Sequence, residues 1–376
     1  MKRILYVDYM RFLAIVGVLF LHITSNYITN TPIFGNYWIQ SIFISSLTRF
    51  SIILFIMISG LLLLKKDNPI NTIPRRIKRI LEPFIVWFII YFIVKWSLGL
   101  FESNTNNFLV LFINAILDPT IVSVQFWFVY MIIALYIATP LVSKLVHTLT
   151  DREIEYFLGI WFVCLVLKFI DKNILILDFM GFFMGHMGYF ILGYYLSNTK
   201  RYCFNNRKFA ICLIVIGTLI TFMGTLYLTS LSNSLDLKFL TLGDLTPGAA
   251  IQAAGIFILI KNTDFREIYG KYSEIINNHI ILFSKLSYGM YLSNVLLINL
   301  CSKIGIFSLN IPPFINVPIM VIMLIVILSV MLLVMNKIPI IKKATGLNNN
   351  LNKGWNHEVI TFCNRKRYWG RCCYSI

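Results

Sequence analysis

The sequence is short of charge, and of acidic charge above all. Only 13% of its 376 residues are Asp, Glu, Lys or Arg, and 16 acidic residues stand against 33 basic ones. A soluble globular chain carries roughly 25% charged residues and is about half apolar. Here 58% of residues are hydrophobic and the mean hydropathy is +0.77, which excludes an ordinary water-soluble domain. Cysteine offers no framework either. Seven are scattered, with Cys164, Cys212 and Cys301 in apolar stretches and Cys203, Cys363, Cys372 and Cys373 in basic ones. They show no metal-ligand spacing, so free thiols are expected. A Gly-x-Ser-x-Gly elbow, a His-rich metal cluster and a Walker loop are all missing, and with them the chemistry each would announce.

What the chain has instead is long apolar runs. A membrane-spanning helix needs about 20 mostly apolar residues, and ten segments meet or approach this: 6–28, 39–64, 80–100, 125–146, 155–170, 179–197, 209–229, 247–261, 286–304 and 314–336. The expected fold is an all-α polytopic membrane protein with about ten transmembrane helices. The first segment follows Lys2 and Arg3 as a signal peptide would, but it lacks a small-residue cleavage site and reads as a retained first helix.

The net charge of +17 would point to nucleic acid in a soluble protein, yet its distribution points to the membrane. With the N-terminus inside, 26 of the 33 Lys and Arg fall in cytoplasmic segments and five outside, with Arg11 and Arg49 left within helices. This positive-inside asymmetry predicts both termini cytoplasmic, a lipid environment and no nucleic-acid partner. Two regions follow, a membrane domain over 1–340 and a basic cytoplasmic tail over 341–376. The tail has no helical period, and its Cys372 and Cys373 read as exposed thiols rather than acylated ones. In the longest outer loop, 101–124, turn signals flank an apolar run expected to lie in the interface as a short helix.

Asp8, Arg11 and His22 interrupt the first apolar segment. At 100° per residue, Arg11 and His22 lie only about 20° apart on the helix, and Asp8 and His22 about 40°. Eleven residues of rise place His22 roughly 16 Å above Arg11, near mid-membrane. Arg49, in the antiparallel second segment, comes to a similar depth. An arginine cannot be neutralised there at ordinary pH, so it needs a polar cavity, an anion or a ligand. Alone, His22 could be an interhelical hydrogen-bonder, and Asp8 could pair with Arg11 near the helix end. Their common face and the depth shared by His22 and Arg49 favour a water-accessible cavity between the first two helices. Histidine suits such a site as a proton acceptor, and arginine as a stabiliser of developing negative charge.

These motifs resemble the acyltransferase 3 family of integral membrane acyltransferases, over nearly the whole chain to about residue 340. The first helix matches in "RFLAIVGVLFLH", the second in "RFSIILFIMISGLLL", and the basic turn into the third in "PRRIKRILEP". "QFWFVYMIIALYIATP", "GYFILGYYLS" and "LSYGMYLSNVLLI" follow in order, and the arrangement is most similar to members that O-acetylate enterobacterial common antigen.

The resemblance implies a protein of the bacterial cytoplasmic membrane that moves an acyl group, usually acetyl, from acyl-CoA to a hydroxyl of a cell-envelope glycan. It implies no bound cofactor or metal. His22 would be catalytic, as general base or transient acyl carrier, with Asp8, Arg11 and Arg49 in the site. Arg75, Arg76, Lys78 and Arg79 would hold the CoA phosphates, or serve only as positive-inside anchors. Ser59, Gln125, Trp127, Tyr130 and Asn294 are expected to bind substrate, although Trp127 and Tyr130 also read as interfacial anchors. Many members carry a histidine where this chain has Asn294, which can hydrogen-bond but cannot titrate near neutrality. The alternative is a transporter or flippase of lipid-linked glycan, with the same charges lining a pathway.

Overall fold

The computed structural model describes residues 3–66, 68–101, 107–170, 185–232, 242–306, 309–339 and 341–347, and among them it contains helices and no strand. In chain order the α-helices are α1 (Leu5–Asn30), α2 (Asn36–Leu47), α3 (Phe50–Leu63), α4 (Ile73–Ser97), α5 (Phe108–Leu117), α6 (Trp127–Thr148) and α7 (Asp151–Ile170). They are followed by α8 (Met187–Asn198), α9 (Arg207–Ser232), α10 (Pro247–Lys261), α11 (Phe265–Tyr269), α12 (Ser273–Lys303) and α13 (Pro313–Lys337). Their boundaries follow local chemistry. The Asn107 side chain accepts from the first amides of α5, Thr246 does so for α10 and Asp264 for α11, while Pro247 and Pro313 open their helices where no amide hydrogen is needed.

Among the described residues, six stretches are long and apolar enough to cross a membrane: Leu5–Asn30, Asn36–Leu63, Val124–Thr148, Arg207–Leu231, Phe265–Lys303 and Pro313–Lys337. The other four expected segments fall on α4, on α7, on α8 with 179–184 outside the described residues, and on the 15-residue α10. The apolar run of the outer loop forms α5, ten residues long.

Helices α1 and α10 are the interior of the bundle. α1 packs against α2, α3, α12 and α13, and α10 is buried along most of its length between α3 and α9. By contrast α9 exposes Ile211, Val215, Leu219, Met223 and Tyr227 at helical spacing, and α13 exposes Ile315, Ile319, Ile322, Val326 and Val330. A stripe of that kind faces lipid. Inside lipid, helices gain little from hydrophobicity against one another and associate by close packing. The crossing of α3 and α8 depends on this. A methyl group on Gly60 would stand 1.8 Å from the Phe190 carbonyl oxygen, and one on Gly193 would stand 2.0 Å from that of Met57. Only glycine lets these backbones touch.

The second expected segment, 39–64, is not one helix. It breaks at Thr48 and Arg49 into α2 and α3, where Thr48 N–H bonds to Ser45 O and Ser51 N–H to Thr48 O, each at 3.2 Å. The break frees backbone groups that hydrocarbon would leave unpaired. Gln252 of α10, itself fully buried, takes them up. Its Nε2 donates to Ser46 O at 2.9 Å, Leu47 O at 3.3 Å and Thr218 Oγ1 at 2.7 Å, and its Oε1 accepts from Phe50 N–H at 3.1 Å.

Candidate active site

We call the end where α1 begins and α3 finishes the basic end, because Arg11 and the loop from Lys65 to Arg79 lie there. A cavity of about 460 Å³ occupies that end of the bundle. Its polar wall is Arg11 from α1, Ser59 from α3, Tyr136 from α6, and Ser284, Lys285, Ser287 and Tyr288 from α12. The Tyr136 hydroxyl contacts Ser59, and the charges of Arg11 and Arg76 both act on it. Farther from the basic end the cavity meets three rings, Phe55, Phe128 and Tyr291, whose centroids stand 5.1 to 6.5 Å apart.

Of the four basic residues expected to hold phosphate, one turns inward. Arg76 donates from Nη2 to Asn68 Oδ1, and its Nη1 is buried with no hydrogen-bond partner among the described residues. Arg75, Lys78 and Arg79 are exposed, and Lys78 pairs with Glu82 at 3.8 Å. The beginning of the expected tail also belongs to this end. Trp87 Nε1 donates to Ala344 O at 2.9 Å, and Gly346 and Leu347 form part of the cavity wall. Residues 348–376 lie outside the described residues.

Asp8 is not on that wall. It is 2% exposed and accepts from Arg3 Nε at 2.7 Å, Arg3 Nη2 at 2.9 Å and Ser284 Oγ at 2.6 Å. Its ion-pair partner is thus Arg3 rather than the expected Arg11, on which it acts through its charge alone.

His22 and Arg49 form a second centre, and neither lines the cavity that Arg11 lines. The Arg49 charge acts on the His22 imidazole, as their matched depth predicts. Arg49 Nη2 donates to Ser45 Oγ at 2.8 Å, Nη1 donates to the Leu242 carbonyl, and Nε is buried without a partner among the described residues. Sitting in the helix break rather than on a helix face, its guanidinium reaches α2 and the 242–246 loop together. The four expected catalytic residues are thus split between two centres, with Asp8 and Arg11 near the basic end and His22 and Arg49 farther along.

The second centre includes two residues that sequence reasoning missed. His186 Nε2 pairs with Asp244 Oδ2, and the Arg49 charge also acts on Asp244. Burial raises the Asp244 carboxyl, but the hydrogen bond and charge of His186, with the charge of Arg49, hold it below the usual carboxylate value. Tyr189 donates its hydroxyl to Asp244 O at 2.5 Å, and Trp161 Nε1 donates to the carbonyl of Gly185, whose φ of +111° turns the chain into His186. The available signal was faint: "MGHMGYF" and "LGDLTPG" each put one ionisable residue beside an apolar helix, 58 residues apart in sequence.

The remaining expected site residues separate. Ser59 lines the cavity. Trp127 packs against His186, with ring centroids 5.4 Å apart. Gln125 is buried and bonded to Ser123, to Tyr91 at 3.2 Å and to Leu292 O at 3.4 Å, so its amide is occupied by the fold. Tyr130 is 39% exposed and donates to Ile116 O at 2.7 Å, tying α6 to α5. Asn294 is fully buried. Its Nδ2 bonds to Met290 O and Tyr291 O, and its Oδ1 has no partner among the described residues.

A helical membrane bundle with Arg11 in the wall of a cavity at one end, and with His22 farther along the same helix under the charge of Arg49 from the α2–α3 break, defines a class: a polytopic membrane protein with ionisable groups held inside the bundle. The model of the acyltransferase 3 family, described as an acyltransferase domain, matches residues 4–335. The chain belongs to that family and is an acyltransferase. No curated protein and no solved structure matches it.

Proposed function

We propose that the protein transfers an acyl group, acetyl in the first instance, from acyl-CoA to a hydroxyl of a cell-envelope glycan, with the basic end cytoplasmic and the membrane that of a bacterial cell. The observation that carries this reading is a cavity of about 460 Å³ lined by Arg11 and Lys285, with the charge of the inward-turned Arg76 acting on Tyr136 of its wall. Guanidiniums bind phosphate through paired hydrogen bonds, and a buried nitrogen without a partner is costly unless a ligand takes it.

In this reading CoA enters at the basic end, its phosphates at Arg76 and Arg11. Its long pantetheine arm passes the Phe55, Phe128 and Tyr291 rings, and the thioester reaches toward His22. His22 takes the proton of the attacking hydroxyl, or carries the acyl group between donor and acceptor. Arg49, whose Nε has no partner among the described residues, steadies the negative charge that develops on the carbonyl oxygen or on the leaving thiolate. Asp8 offsets the Arg11 charge at the donor end. The acceptor class is that of envelope polysaccharides and their lipid-linked precursors, enterobacterial common antigen among them.

The test is equilibrium binding of acetyl-CoA to the protein in lipid nanodiscs, followed by transfer of its labelled acetyl group to an extract of lipid-linked envelope glycans. The reading expects saturable binding, weakened by Arg76→Ala, and label in the glycan. An absence of binding by the folded protein would overturn it.

A further inference from the structure

The His186 and Asp244 pair stands at the end of the bundle opposite the donor cavity. α8 begins there with His186 at its N-cap, and α6 begins there with Trp127, nine residues before the cavity-lining Tyr136. The pair is not sealed in: the His186 side chain is 18% exposed and that of Asp244 26%. Trp127 lies against His186, and the next residue, Phe128, already belongs to the donor cavity. Arg49 holds the same loop by its hydrogen bond to Leu242 O, so whatever binds at the pair lies beside the Arg49 and His22 centre.

The chemistry of these three side chains restricts the ligand. An ionised carboxylate accepts hydrogen bonds and gives none, so Asp244 repels phosphates and asks for donors. His186, with Nε2 committed to Asp244, offers Nδ1 as a further acceptor when neutral. Trp127 supplies a flat apolar surface with a polar edge, suited to a ligand that is apolar on one face and hydroxylated at its rim. Neutral sugar rings have that character, with hydroxyls in plane and C–H groups above and below.

We propose that Asp244, His186 and Trp127 form an acceptor subsite that binds a neutral, polyhydroxylated sugar ring and presents one of its hydroxyls toward Arg49 and His22. The assignment rests on the acyltransferase reading for its place in the reaction, but not for its ligand. Donor and acceptor then approach from opposite ends, and the thioester, past the Phe55, Phe128 and Tyr291 rings, meets the sugar hydroxyl at His22 and Arg49. Asp244 and His186 act by holding the acceptor, so their loss shows in its affinity and not in that of the donor.

The experiment compares the full-length wild type with Asp244→Asn, His186→Gln and Trp127→Ala in nanodiscs. Two quantities are read: equilibrium binding of a radiolabelled extract of lipid-linked envelope glycans without CoA, and the KM values for that extract and for acetyl-CoA. The expected result is at least tenfold weaker glycan binding and a matching rise in glycan KM for each variant, with acetyl-CoA KM within twofold of wild type. Arg76→Ala should show the reverse split. Asp244→Asn keeps the shape of the side chain, so it reports on charge even if a larger truncation fails to fold. Unchanged glycan binding in all three folded variants, or equal movement of both KM values, would overturn the subsite. A wild type that binds the glycan through Asp244 yet transfers nothing would retain the subsite and remove the acyltransferase reading instead.

Discussion

The Gln252 side chain of α10 and the Phe50 amide at the start of α3 are joined by a 3.1 Å hydrogen bond across the helix break that carries Arg49. Through its other end the same amide holds the carbonyls of Ser46 and Leu47, which the break has left without helical partners. One neutral side chain therefore ties α10 to the break that carries Arg49, at a point where no helix face would present that cation.

Removing that clamp should cost the fold before it costs chemistry. Gln252→Leu leaves two carbonyls and an amide unpaired in the interior, a loss of about 3 kcal/mol when net and unsatisfied terms are weighed together. Gln252→Glu, which retains an acceptor for Phe50, should lose less. Denaturant or thermal unfolding in detergent checks the order wild type, Glu, Leu.

Gly60 and Gly193 give a second stability prediction. A methyl group at either position meets a backbone carbonyl at 2.0 Å or less, and backbone cannot swing aside as a side chain does. Gly60→Ala and Gly193→Ala should each destabilise by about 2 to 3 kcal/mol, the usual cost of overpacking, whereas Gly159→Ala, with no atom within 4 Å of the added methyl, should be close to neutral. Melting temperatures of the three variants separate these outcomes.

The basic loop divides sharply. Arg76→Ala and Arg11→Ala are expected to raise the acetyl-CoA KM about tenfold or more, the effect of losing one charge-assisted hydrogen bond. Arg75→Ala and Arg79→Ala, whose side chains are exposed, should stay within twofold. Steady-state kinetics at saturating acceptor make the comparison.

The Asp244 carboxyl lies below its usual value in the folded protein, held there by His186 and Arg49 against the opposing effect of burial. A depressed carboxylate stabilises the fold fully above its unfolded value, near 3.9, and that contribution is lost as pH falls through the lower folded value. The stability that wild type gains over Asp244→Asn from this carboxylate should therefore shrink as pH falls below about 4. Unfolding midpoints measured across that range test it.

The all-helical membrane architecture was legible in the sequence because apolar runs of spanning length leave few alternatives in lipid. The Arg11 to His22 spacing was legible for the same reason: a helix of known pitch converts residue number into angle and height. Where the reading fell short, the cause was tertiary. Nothing in "SSLTRFSIILF" announces a break, since no proline or glycine stands there; Gln252, some 200 residues away, makes it tolerable. The same applies to His186 and Asp244, whose loops meet only once α8 and α10 are packed, and to Gln125, whose polar side chain proves to be committed to Ser123 and Tyr91. The basic loop showed its four charges in sequence but not that Arg76 alone of them turns inward.

The most direct test of the account is release of CoA thiol from acetyl-CoA by the purified protein in lipid, with an extract of lipid-linked envelope glycans as acceptor, comparing wild type with His22→Ala. The account predicts acceptor-dependent release by the wild type and a loss of at least a hundredfold in the folded variant, the scale of removing a positioned proton-transfer group. Release that persists in His22→Ala would contradict the role given to that histidine. Glycan translocation by the wild type with no thiol released would contradict acyl transfer itself and favour a transporter.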